Sequence, residues 1–223
     1  GGVALILRKS AYRAPTFDVI LPARVAMADH DRGAIQAVLH GDTNRYAELV
    51  DRHQDAAIRL AFSLLGNHED AKDASQEAFV SAFRALPRFR GDAKFSTWLF
   101  RIVVNKCKDV HKWRARQPLA AVRVGVPEGD EDAPSLFVDV DDPGADPSDQ
   151  LANRELAHRL SAAIRTLPMK QHTAFLLHHV HGLPLEETAS VMRCRLGTVK
   201  SHIFRATEHL QVALRPWLAQ EQG

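Results

Sequence analysis

The sequence predicts an all-α protein made of two helical domains joined by a flexible acidic linker, the second domain containing a helix-turn-helix. Three observations carry this. Apolar residues recur three and four positions apart on both sides of the middle of the chain, the repeat of a helix with one buried face. Between these stretches, residues 117–150 hold Pro118, Pro127, Pro134, Pro143 and Pro147 with the acidic runs GDED and DVDDPGADPSD, a composition that resists compact folding. Charge is partitioned the same way: 71–116 carries 11 Lys/Arg against 4 Asp/Glu and 117–150 carries 1 against 9, giving blocks of −1, +7, −8 and +4 behind a formal total of +2. Two basic blocks separated by an acidic one favour a polyanion engaged at two places, because local fields attract a charged ligand more than the net total does.

Composition narrows the class further. A chain of 223 residues with 45% hydrophobic content can build one medium core or two small ones. The longest apolar runs, VALIL near the start and WLF and IVV farther on, fall far short of the roughly 18 to 20 residues that span a bilayer, so no direct membrane insertion is expected. Gly1 to Leu7 lacks the basic start and long apolar middle of a secretory signal. Two cysteines, Cys107 and Cys194, make no disulfide framework and point to a reducing compartment.

Residues 1–28 are weakly patterned, and Pro15 and Pro22 break any long helix, so a flexible N-terminal extension is expected there. A helical domain is expected over 29–116. Ile35, Val38 and Leu39 give a short apolar face before the break at Gly41-Asp42. Tyr46, Leu49, Val50, His53, Ala57, Leu60, Ala61, Leu64 and Leu65 form a buried stripe with His53 as a packed or boundary residue, and Gly66-Asn67 ends that helix. In the next, Ala71, Ala74, Ala78, Phe79, Ala82, Phe83 and Leu86 make a small-and-aromatic inner face, while Asp73, Gln76, Glu77 and Val80 lie around the remaining surface. Pro87 stops it, and Arg88 to Lys94 form a basic loop turned by Gly91-Asp92.

A third helix starts near Ser96-Thr97, with Phe95, Trp98, Leu99, Ile102, Val103, Cys107 and Val110 as its apolar stripe and Arg101, Asn105, Lys108, Asp109 and Lys112 largely opposite. That opposite face offers cations for phosphates and an amide for a base edge. Phe95, Trp98 and Phe100 each fit a core position, and their place beside the basic loop also fits base stacking. Cys107, in the apolar register, reads as a small core residue. The linker of about 34 residues reaches on the order of 100 Å when extended.

Beyond the linker a second domain is expected over 151–215, followed by a tail at 216–223. Leu151, Leu156, Leu160, Ile164 and Leu167 mark a helix ended by Pro168; Phe175, Leu176, Leu177 and Val180 mark another closed by Gly182. A short helix across Leu185 to Met192, a turn from Arg193 to Gly197 and a helix from about Thr198 then give the helix-turn-helix, presenting Lys200, Ser201, His202 and Arg205 towards a major groove.

Two phrases, DAKDASQEAFVSAFRALPRFRGDAKFSTWLFRIVVNKCKD and LPLEETASVMRCRLGTVKSHIFRA, closely resemble the two domains of bacterial sigma factors of the extracytoplasmic-function group of the sigma-70 family. The resemblance covers about 29–116 and 151–215. It implies an alternative RNA polymerase sigma factor: a non-catalytic, dissociable subunit that binds core polymerase, reads the −10 and −35 promoter elements and assists strand opening. Placed by position, Asp73, Gln76, Glu77 and Phe79 lie on the segment resembling the polymerase-clamp helix. Arg88, Phe89, Arg90, Gly91, Lys94, Phe95, Trp98, Arg101, Asn105, Lys108, Asp109 and Lys112 fall in the region for −10 DNA and its flipped base. Arg193, Arg195, Thr198, Lys200, Ser201, His202, Phe204 and Arg205 fall in the −35 region. The family commonly has arginine at 172, 202 and 207, where this chain has His172, His202 and Thr207, and Pro184 replaces a usual capping serine; weaker −35 binding is the expectation. The resemblance also implies an anti-sigma partner, often membrane-tethered, and a site of action in the bacterial cytoplasm and on the nucleoid.

Two other classes use the same helices: a helix-turn-helix repressor or activator acting without polymerase, and a non-catalytic protein-interaction module. No P-loop, dinucleotide-binding glycine pattern, HExxH pair or paired-cysteine spacing points to an enzyme or to a cofactor. His172, His178, His179 and His181 read as helix histidines rather than metal ligands.

Overall fold

The computed structural model describes residues 23–116 and 158–220, with side chains described over 31–116 and 158–215. The expectations for 1–22, the linker, Leu151 and Leu156 lie outside the described residues. Among those described there are helices and turns and no strand. None of the described helices is long and apolar enough to cross a membrane.

The first half is four helices. Helix α1 spans Ala23–Leu39 and begins directly after Pro22, six residues before the apolar repeat at Asp29 suggested. A single 3-10 turn at Thr43–Arg45 leads into α2, Tyr46–Leu65. Gly66 closes α2 in the left-handed conformation (φ 71°) with its N–H donating to Phe62 O. Asn67 then caps α3, His68–Ala85, its side chain accepting from the Asp70 N–H at 3.0 Å. The basic loop follows, and α4 runs from Phe95 to Arg116.

The core of this half matches the apolar stripes. Leu49, Ala57, Leu60 and Ala61 are fully buried on α2; Ala71, Ala78 and Ala82 on α3; Leu99 and Val103 on α4. The alanines let α3 lie close against both α2 and α4, while each buried Leu contributes about 1.5–3 kcal/mol. Cys107 is buried as expected, and burial pushes its thiol up to about 12, which leaves it inert. Phe83 and Val104 depart from the periodic reading, while Phe100 fits the core as expected. Phe83 is 39% exposed, held at the edge of α3 with its ring 4.9 Å from that of Tyr46. Phe100 and Val104 join the core, because α4 packs against helices on more than one side.

His53 is a packed residue held by a partner outside its own helix. Its Nε2 lies 3.0 Å from Asp31 Oδ2, and Arg52 reaches the other carboxylate oxygen, tying α1 to α2. Burial raises the Asp31 pKa, but hydrogen bonds and charge from His53 and Arg52 outweigh it, and the net shift is downward.

In the second half, α5 covers 158–165, α6 Met169–Phe175, α7 Leu185–Met192 and α8 Leu196–Gln220. Leu160, Ile164, Leu176, Leu177, Val191, Val199, Ala206 and Leu210 supply its core. The stretch expected as a plain helix after Phe175 widens into a π turn at Leu176–Val180, where the His181 N–H bonds Leu176 O, five residues back. Helix α8 starts two residues before Thr198 and runs through 216–220, where a tail was expected.

Candidate nucleic-acid interface

On α3, Asp73, Gln76 and Glu77 are exposed and Glu77 pairs with Lys106 of α4 at 3.0 Å. Phe79 stands apart from them. It is 7% exposed, so its ring belongs to the core, and its carbonyl accepts from Tyr46 Oη at 2.7 Å. The apolar side chains this helix offers outward are Val80, 50% exposed, and Phe83. A four-residue step advances a helix by slightly more than one turn, so Phe83 rotates off the stripe that buries Phe79.

The basic loop places Arg88, Arg90, Gly91 and Lys94 in solvent, with Gly91 at φ 77° turning it. Its aromatic residues form a cluster with one another. Phe89 lies 5.0 Å from Trp98 and 6.1 Å from Phe95, and Phe95 lies 5.7 Å from Trp98. Phe95 is buried and stacks at 5.3 Å on His53, which makes it core; Phe89 and Trp98 are half-buried at the rim. Along α4, Asn105, Asp109 and Lys112 are exposed, while Arg101 and Lys108 are half-buried. Asp109 pairs with Lys112 at 3.3 Å, one helical turn on, so its charge is partly neutralised before any base is considered. Burial and then the facing Arg193 lower the Arg101 pKa; burial and then Lys112 and Lys170 lower that of Lys108.

On the helix-turn-helix, Arg193 and Arg195 in the turn and Thr198, Lys200, Ser201, Phe204 and Arg205 on α8 are all exposed, with Phe204 at 64%. They share one side because Val199, Ala206 and Leu210 take the other into the core. Arg193 closes α7 in the left-handed region at φ 52°, a conformation that favours glycine. His202 is half-buried, its pKa lowered by burial, Lys170 and Arg205, so it is neutral at pH 7 and adds no fixed charge to this face. Thr207 turns inward on its own helix and donates to Ile203 O at 2.9 Å. Pro184 offers α7 no side-chain cap; its carbonyl instead accepts from the Thr188 N–H at 2.9 Å and from Thr188 Oγ1 at 3.0 Å.

The histidines between 172 and 181 each have a structural setting. His172 is 6% exposed and burial lowers it to about 4; His178 Nδ1 lies 2.8 Å from Leu183 O; His179 stacks at 4.8 Å on Phe175. His181 reaches the first half, with Nε2 3.3 Å from Ser63 Oγ and its ring 6.4 Å from that of Phe100. Among the described residues no three His, Cys, Asp or Glu side chains gather to hold a metal.

Two basic surfaces, one beside an aromatic loop and one on a helix-turn-helix, are therefore carried by one chain. Sigma-70 region 2 matches residues 49–117 and Sigma-70 region 4 matches 157–210. The chain belongs to the sigma-70 family. Its relatives place it in the extracytoplasmic-function group of RNA polymerase sigma factors. It is 34% identical over 186 residues to the ECF RNA polymerase sigma-E factor of Escherichia coli K12, covering 83% of this chain and 95% of that one. It is 35% identical over 196 residues to the RNA polymerase sigma-H factor of Pseudomonas aeruginosa, covering 86% and 97%. The SigW factor of Bacillus subtilis is 32% identical over 181 residues, covering 81% and 95%. Among solved structures, CnrH in complex with the cytosolic domain of CnrY shares the fold at a TM-score of 0.59 and 24% identity, over 84% of this sigma factor and 99% of that chain. The region 2 match opens at Leu49, so α1 precedes it, fastened by Asp31 to Arg52 and His53.

Periodicity located the surfaces but missed several of their members. Asp31 and Glu187 gave no sequence signal, and Thr97 only that of a helix start, since the role of each is defined by a partner distant in the chain. The outward place of Phe83 was legible only from the helical angle between it and Phe79.

Proposed function

We propose that this sigma factor directs initiation by using its first helical unit, 29–116, on core polymerase and the −10 element, and its second, 151–215, on the −35 element. The observation that carries the reading is the exposed face of α8, where Lys200, Ser201 and Arg205 stand together beside Arg193 and Arg195 while the opposite face is core. A helix so placed after a tight turn enters a major groove, with cations on phosphates and Ser201 or Lys200 at base edges. In the first unit, Arg88, Arg90 and Lys94 hold the backbone of the opened strand while Phe89 and Trp98 receive an unstacked base. The return from stacking, about 1–3 kcal/mol per base, offsets an unstacking cost of a few kcal/mol together with the phosphate contacts. Asn105 reads a base edge on the next turns of α4, and Asp109, tied to Lys112, accepts from a cytosine amino group or stands aside.

Polymerase docks on the exposed face of α3 through Asp73, Gln76 and Glu77, with Val80 and Phe83 as its apolar centre and Phe79 holding the helix from inside. An inhibitory anti-sigma partner in the cytoplasm, tethered or free, would cover the same apolar pair; CnrH is solved in complex with the cytosolic domain of CnrY. The family's members are non-catalytic, and the work assigned to this chain is recognition and strand opening.

Reconstitution tests the reading. Core polymerase with this chain is expected to produce discrete transcripts from promoter fragments recovered by crosslinking after induced expression, and core alone to produce none. Absence of binding to core would overturn it. A repressor acting alone would instead protect duplex DNA without polymerase.

A further inference from the structure

The two halves touch at a point the promoter-reading function must vacate. Helix α7 of the helix-turn-helix packs against α4. From its first turn, Glu187 reaches across the chain to two residues at the start of α4: Oε1 lies 2.5 Å from Lys94 Nζ and Oε2 accepts from Thr97 Oγ1 at 2.8 Å. Thr97 is 3% exposed beneath this contact, and His181 adds a second tie through Ser63 and Phe100. We propose that Glu187 is an acidic latch that occupies the Lys94–Thr97 pair in place of a DNA phosphate and holds the sigma factor in a closed, non-reading state. The latch rests on the promoter-reading assignment above.

The geometry requires an opening. Two elements separated by about 17 base pairs lie roughly 60 Å apart on B-DNA at 3.4 Å per step. Units joined by a carboxylate at hydrogen-bond distance cannot reach both. The loop cation is also occupied: a phosphate approaching Lys94 must displace Glu187, so the incoming strand and the second unit compete for one ammonium group. The cations along the seam oppose the latch. Arg101 faces Arg193, and Lys108 faces Lys170, each pair contributed by opposite halves and repelling across the contact. A single carboxylate against several like charges makes a closure that a polyanion, which relieves the repulsion and claims Lys94 at once, can release. Competition for one cation couples opening to DNA binding reciprocally.

Small-angle scattering of the full chain at 0.15 M salt tests closure without DNA. Glu187→Lys is expected to raise the radius of gyration by about a tenth or more over that of the parent, a shift of the size that separates docked from undocked units in a chain this long. The charge swap Lys94→Glu with Glu187→Lys is expected to restore compaction. Binding of a fluorescent 20-nucleotide single strand should tighten about three- to tenfold in Glu187→Gln but by less than twofold in Glu186→Gln, which removes the same charge from an exposed position one residue away. Circular dichroism confirms that each variant keeps its helices. A radius unchanged by Glu187→Lys, or equal tightening in both glutamine variants, would overturn the latch. Failure of promoter-directed transcription despite opening would overturn the promoter assignment instead, and the closed contact would stand as a domain interface.

Discussion

Asn105 and Arg193 show how little of a side chain's role follows from its type. Asn105 is exposed on α4, away from the core stripe, and the proposed function gives its amide a base edge to read. Asn105→Ala is expected to reduce −10 discrimination by about 1–3 kcal/mol, or about five- to 150-fold between matched and mismatched promoters, while leaving core affinity unchanged; competitive transcription and a core-binding titration measure the two. Arg193 combines a strained backbone with a useful charge. At φ 52° it caps α7 where glycine is favoured. Arg193→Gly is expected to stabilise the second unit by about 0.5–1 kcal/mol in urea unfolding and at the same time lower the salt slope of −35 duplex binding by about one counterion. A variant that is more stable and binds less well separates the two contributions. Thr97 and Glu187 belong to this scale too, since neither residue type announces the contact the pair makes.

Among the elements, α3 has two faces with different duties. Its inner face is built from Ala71, Ala78 and Ala82, all fully buried, which brings α2 and α4 close on either side. Ala82→Leu therefore overfills a packed contact and is expected to cost about 1–3 kcal/mol of stability, seen as a lower urea midpoint. The outer face makes the opposite prediction. Val80→Asp lies at a half-exposed position and should leave the urea midpoint within about 0.5 kcal/mol of the parent, while core polymerase affinity falls at least tenfold in a direct binding assay. The two substitutions sit two residues apart and should separate folding from docking.

At the scale of the whole molecule, the halves differ in how they meet acid. His172 and His181 both lie in the second half, and burial lowers each to about 4. Their unfolded value is near 6.5, so the unfolded chain binds more protons between pH 6.5 and 4, and stability is lost as pH falls through that window. His172, 6% exposed with Nε2 unpartnered, is the most committed to the neutral form. The second unit is expected to lose about 4 kcal/mol between pH 7 and pH 4.5, about 2 from each of these histidines, and His172→Leu to remove about half of that slope; thermal unfolding across the pH series reads it. In the first unit the shifted group is Asp31, whose pKa is lowered, so its contribution is lost only as pH falls below about 3.9.

Much of this sigma factor was determined by its sequence alone. The helices, their buried stripes, the basic loop, the helix-turn-helix and the two basic blocks around an acidic one are local properties, set by residue type at spacings of three and four and by glycine and proline at the breaks. The family phrases are equally local, and the residues they mark on the loop, on the outer side of α4 and on α8 are mostly solvent-facing where described. Tertiary structure decided what depends on partners far apart in the chain. It left Phe83 at the edge, gave His53 its partner in Asp31, buried His172 in its neutral form, and set Glu187 on Lys94 and Thr97 some ninety residues away. Periodicity specifies which face of a helix is buried, but not which charge from another helix will be waiting at its rim, because that requires the angle and distance at which the helices meet.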